Sequence, residues 1–133
     1  MYKSILVLTD GTRLSAKAVA EAVKIAKACG AKLTVLHVMQ DFRKMVTETY
    51  AVPAALAAPV QKKFQEEASQ RSKAIVQRAS TDAAAAGVEA SGLSMAADSP
   101  FEGIIKAAGK VKADLVVMAS HGRKGLQGFL LDR

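Results

Sequence analysis

The stretch from Ser4 to Val38, SILVLTDGTRLSAKAVAEAVKIAKACGAKLTVLHV, decides the fold. It opens with a short apolar run, Ser4 to Thr9, rich in β-formers and closed by Asp10-Gly11. That length and that stop favour a buried strand over a helix. From Thr12 the period changes: Leu14, Ala18, Ala22, Ile25 and Cys29 are spaced for one helical face. Thr12 can cap this helix, and Gly30 tolerates the positive φ at its end. Lys32 to Val38 then reads as a second strand. A strand, a helix and a strand in this order predict parallel pairing with a right-handed crossover.

Working outward, Met39 to Pro59 follow no period and read as a long connection. Val60, Phe64, Ala68, Ile75, Ala79 and Ala83 mark a long amphipathic helix running to Gly87, with Arg71 and Lys73 facing water. A weaker strand, Val88 to Met95, follows, and Gly92 suggests an edge position. Ser99-Pro100-Phe101-Glu102 is a capping box with proline at the first helical position, so a helix begins there. Its expected buried stripe is Phe101, Ile104, Ile105, Ala108 and Val111. Asp114 to Ala119 reads as a nearly all-apolar strand covered on both faces.

The 133 residues amount to one domain, of which roughly two-thirds of the unfolded surface is buried on folding. Apolar residues make up 50% and charged residues 23%, a composition that argues against intrinsic disorder. The single cysteine, Cys29, excludes an internal disulfide and any zinc site needing two thiolates, and it fits a reducing compartment. No apolar run reaches a membrane span and no secretory leader is recognisable, so a cytoplasmic location is expected. The net charge of +7 attracts anions, but the basic residues are dispersed and aromatics are scarce. Nucleic acid and membrane are therefore not expected partners.

In an open α/β sheet the ligand crevice lies at the carboxyl ends of the strands. Those positions here are Thr9-Asp10-Gly11, Val38 to Gln40, and Ala119-Ser120-His121-Gly122-Arg123-Lys124-Gly125. The last segment combines glycines, a hydroxyl and two cations, a pattern suited to an anion held by backbone amides. Met118 at the mouth of such a crevice can touch a purine. No P-loop is present, and His121 has no partnering carboxylate near it in sequence, so catalysis is not expected.

Strand one ending in Thr-Asp-Gly-Thr, strand two in Leu-His-Val, the Asp98-Ser99-Pro100 helix start and the Asp114-to-Arg123 segment together resemble the universal stress protein family. The resemblance covers the whole chain. It implies a Rossmann-like three-layer α/β sandwich with a parallel sheet ordered 3-2-1-4-5, usually dimeric, in a cytoplasmic stress-response module. In the nucleotide-binding branch, the Asp after strand one and the Val after strand two hold the nucleoside, which here implies Asp10 and Val38. With Thr9, Met118, Ser120, His121, Gly122, Arg123 and Gly125 they form the expected site for ATP, accompanied by Mg²⁺, or another adenine nucleotide. The family's Gly-x2-Gly-x9-Gly-Ser/Thr phosphate motif is only partly matched. Its first Gly is Ala119, its second is Gly122, and the final pair is Asp132-Arg133. No metal site is expected. The alternative implied by this departure is a dimeric protein-interaction module that binds no nucleotide; an enzyme of the wider adenine-nucleotide-hydrolysing superfamily is a weaker third reading.

The family continues beyond the position of Arg133 with a further helix and a fifth strand. The expectation is a single domain over residues 1–133, truncated at its C-terminus, with the fifth strand missing and one edge of the fourth unpaired. Such an edge favours a dimer or higher oligomer. The rival arrangement folds Gly122 to Arg133 back over the edge and leaves a monomer.

Overall fold

The computed structural model describes residues 1–40, 53–119 and 126–130. Strands β1 (Ser4–Leu8), β2 (Lys32–Gln40), β3 (Ala90–Ala97), β4 (Leu115–Ala119) and β5 (Leu126–Leu130) form one sheet in the order β3-β2-β1-β4-β5. The first four are parallel, as the β-α-β pattern predicts. Helices α1 (Arg13–Cys29) and α2 (Ala54–Ala85) cover one face, and α3 (Pro100–Val111) covers the other.

The fifth strand corrects the sequence reading. Leu126–Leu130 runs antiparallel to β4, from Ala119 opposite Leu126 to Leu115 opposite Leu130. The edge of β4 is thus paired by the chain's own return, because its unmatched backbone donors and acceptors need partners and the nearest ones follow in sequence. This is the fold-back arrangement in place of a bare edge.

Alternation along the strands sorts the core. Ile5, Val7, Leu33, Val35, Leu115 and Val117 pack under α1 and α2, while Leu6, Leu36 and Val116 pack under α3. Helix α1 buries Ser15, Ala18, Val19, Ala22 and Ala26. Its stripe is rotated from the predicted one, leaving Leu14, Ile25 and Cys29 half-buried, because the small side chains let the helix axis sit close to the sheet. The caps are as predicted: Thr12 accepts from the Ser15 amide, and Gly30 adopts φ 67°.

Helix α2 begins earlier than expected, before Pro59. The proline lies in the second turn of a 32-residue helix, where the single hydrogen bond it removes is a small fraction of the ladder. The predicted connection over 39–59 is therefore shorter, and its middle lies outside the described residues. In α3 the capping box forms, with Ser99 accepting from the Glu102 amide, but the buried residues are Gly103, Ala107 and Ala108. Phe101 is 71% exposed and Ile105 56% exposed, contrary to the predicted stripe. The helix contacts β2 through Gly103, where an added Cβ would lie 2.6 Å from a Val38 methyl, and that close approach turns Phe101 and Ile105 outward. Gly92 in edge strand β3 has a similar role, since a Cβ there would lie 2.8 Å from Val76 of α2. Asp114 accepts from the amides of Lys3 and Ser4 at 2.9 and 3.1 Å, fixing the entry of β1 beside β4. Among the described residues no helix is long and apolar enough to cross a membrane.

Candidate functional site

At the carboxyl end of β1 the chain turns sharply into α1. Thr9 is buried and its amide donates to the Leu36 carbonyl at 2.8 Å, extending the ladder one residue past the strand. The Thr9 hydroxyl lies 3.0 Å from that of Ser15 and accepts from the Gly11 amide at 3.2 Å. Gly11 has φ 82°, a value that suits glycine. Asp10 is exposed at the rim. Its Oδ1 accepts from the Thr12 amide at 2.9 Å and from the Thr12 hydroxyl at 2.5 Å, an Asx turn that presets the carboxylate. Partial burial pushes the Asp10 pKa up, but the hydrogen bonds from Thr12 and Ser15 outweigh it, and the carboxyl lies below its ordinary value of 3.8.

Val38 and Met118 stand near the carboxyl ends of β2 and β4 on the α3 side, half-buried against the Leu6–Leu36 cluster. They are separated by the intervening β1, roughly 10 Å at ordinary strand spacing. Leu8 of β1, half-buried in the same cluster, stands between their strands, and Asp10 lies at the rim, where an exposed carboxylate retains acceptor capacity for ligand hydroxyls. Of the predicted site residues, Thr9, Asp10, Val38 and Met118 are thus brought to one end of three adjacent strands. Ser120, His121, Gly122, Arg123 and Gly125 lie outside the described residues, as do Asp132 and Arg133. Ala119 closes β4 on the α1 side of the sheet.

Two features were not read from the sequence. Ser15 is a hub, reached by Thr9 and Thr12 hydroxyls and by the Asp10 amide. The second is a chain of three side chains beneath α2: His37 Nδ1 lies 2.6 Å from Ser72 Oγ, which lies 2.6 Å from Ser94 Oγ. Ser72 is fully buried. It falls four residues after Ala68 and four before Val76, both buried, and that spacing was the available signal for a polar group in the stripe. Burial lowers the His37 pKa from 6.5, against the opposing pull of the Asp10 charge. A neutral ring can accept from Ser72 while Ser72 accepts from Ser94, so the chain is satisfied without a charge. Among the described residues no cluster of three potential metal ligands occurs.

A four-stranded parallel arrangement ordered 3-2-1-4 and sandwiched by helices defines a Rossmann-like α/β domain. The profile described as Universal stress protein family matches residues 1–133. The universal stress protein YxiE of Bacillus subtilis (strain 168) is 31% identical, over 98% of this chain and 87% of that protein. Among solved structures, universal stress protein UspA from Lactobacillus plantarum superposes with a TM-score of 0.73 at 25% identity, covering 91% of this chain and 79% of its own. A universal stress protein solved in complex with cAMP gives 0.61 at 25% identity, covering 86% and 74%. The chain belongs to the universal stress protein family.

Proposed function

We propose that the chain is a cytoplasmic stress-response module that binds an adenine nucleotide at the carboxyl ends of β1, β2 and β4. The observation that carries the reading is the preset Asp10 carboxylate, exposed at the strand-end rim that Val38 and Met118 also approach. The similar protein solved with cAMP supports the same ligand class. Asp10 would accept from ribose hydroxyls, and Val38 and Met118 would hold the base by apolar contact. Ser120 to Gly125 carry the groups suited to phosphate, with Mg²⁺ accompanying ATP. The activity is binding, with at most residual ATP hydrolysis; a steady-state rate of about 1 s⁻¹ or more, lost on His121→Ala, would overturn that part.

Titration calorimetry with ATP, ADP and AMP tests the reading. Asp10→Ala should weaken AMP about tenfold or more, the loss of a charge-assisted hydrogen bond. Because Asp132 replaces a motif glycine, the three nucleotides should bind within about tenfold of one another, or 1.4 kcal/mol. ATP binding more than tenfold tighter than AMP would show a working triphosphate cradle.

The second reading is a dimeric protein-interaction module without nucleotide, favoured by Ala119, Asp132 and Arg133 and by the exposed Phe101 and Ile105. In either reading we expect a homodimer or higher oligomer, with the outer edge of β5 as the simplest contact. Light scattering over a concentration series checks it, and a single-chain mass that stays constant to about 100 μM would refute it.

A further inference from the structure

We infer that the channel between α1 and α2 is a second binding site, which meets the strand-end site at Thr9 but includes neither Asp10, Val38 nor Met118, for a single-chain amphipathic carboxylate such as a free medium-chain fatty acid. The channel has a volume of about 870 Å³, within the range of small-molecule sites. Its walls carry small or branched apolar side chains, Ala16, Ala20 and Val23 on α1 facing Ala74 and Ala79 on α2, with Val19 in its floor. Near the β1–α1 turn the channel is narrowed by Ile75, which would lie 3.3 Å from a Cβ placed on Gly11.

Charge gives the channel a direction. Arg13 and Arg78 line it, both are exposed, and neither forms an ion pair with an acidic side chain among the described residues. Arg13 opens α1, whose N-terminal end itself favours an anion. Lys24 lies at the other end, beyond Val23, within 4.0 Å of Glu21 on its own helix. Asp82 lies one turn below Arg78 and repels a carboxylate placed lower. The Asp10 carboxylate is engaged by Thr12 and does not line the channel. The head group therefore belongs between Arg13 and Arg78. The tail runs along Ala16 to Val23, about 10 Å of helix, which suits a chain of about eight methylenes. The protein's net charge of +7 adds a general attraction for the anion.

The test is calorimetric titration of the full chain with decanoate, decanol and decyltrimethylammonium, each kept below its micelle concentration, with backbone amide shifts recorded in parallel. Decanoate should saturate at one per chain and bind about tenfold more tightly than either other probe, shifting amides of α1 and α2. The Arg13→Gln/Arg78→Gln double variant should bring decanoate down to the level of decanol. Ala20→Phe should fill the channel and remove binding of both; Ala16→Leu serves the same purpose, and circular dichroism confirms which variant is folded. Asp10→Ala should leave decanoate binding unchanged, which separates this site from the nucleotide reading. The inference is overturned by absence of saturable decanoate binding or by equal affinity for the cationic probe. It is equally overturned by undiminished binding in a folded channel-filling variant, or by phosphatidylglycerol vesicles or an amphipathic helical peptide shifting these amides where decanoate does not.

Discussion

Gly103→Leu is expected to destabilise the fold by about 3 kcal/mol, the upper end of ordinary overpacking, and to be the most damaging single change in α3. The reason is geometric. A Cβ on Gly103 would lie 2.6 and 2.9 Å from the two methyls of Val38 and 3.3 Å from its Cβ, so no rotamer of Val38 clears the space and the helix must move off the sheet. Gly109 in the same helix has nothing within 4 Å of an added Cβ. Gly109→Leu should therefore stabilise by up to about 1 kcal/mol through helix propensity alone. Denaturant midpoints of the two variants, with opposite signs, check the argument, and Val38→Ala should recover part of the loss at Gly103. Because Val38 is also a contact of the proposed nucleotide site, Gly103→Leu should on that proposal weaken AMP binding even where the protein remains folded.

Ser72→Ala should remove about 2 kcal/mol, within the range for orphaning buried hydrogen-bonding partners, since both His37 and Ser94 lose their contact. Ser80→Ala on the same helix removes a bond to the Gln77 carbonyl and should change stability by no more than about 0.5 kcal/mol. The histidine adds a pH dependence. Its folded pKa lies below 6.5, so the unfolded chain binds the proton more tightly, and stability is complete above about pH 6.5 and falls as the pH drops below it. Asp10, whose folded pKa is lowered, contributes stability present above 3.8 and lost as the pH falls through its folded value. Unfolding free energies from pH 8 to 5 should thus decline toward acid in the wild type and decline less in His37→Gln. A slope that is unchanged in His37→Gln would assign the effect to another group.

The sandwich was legible because its signals are local: an apolar run ended by Asp10-Gly11, a cap at Thr12, a glycine stop at Gly30, a capping box at Ser99. Asp10, Val38 and Met118 were legible because strand-end positions follow once the strands are placed. Which face of α3 is buried was not, since Phe101-Ile105 and Gly103-Ala107 are both spaced as helical stripes and the choice depends on how closely β2 approaches. The His37–Ser72–Ser94 chain joins three elements, and no stretch of sequence contains its partners. The antiparallel β5 was legible only as the rival to a bare edge, because a five-residue segment holding Gly128 carries little strand signal of its own.

The pairing of β1 with β4 sets an order in time. Ile5 lies beside Leu115, and Asp114 holds the amides of Lys3 and Ser4, contacts about 110 positions apart along the chain. A growing polypeptide can assemble β1, β2 and β3 with α1 and α2 long before β4 is made. During that interval β1, whose Ile5, Leu6 and Val7 are fully buried in the finished fold, presents a bare parallel edge. At about 5–20 residues per second the exposure lasts seconds, long compared with microsecond collapse. A strand fully buried at its centre is therefore also the one that waits longest for its second neighbour, and newly made chains should be most prone to aggregate, and most dependent on chaperones, when synthesis pauses between β3 and β4.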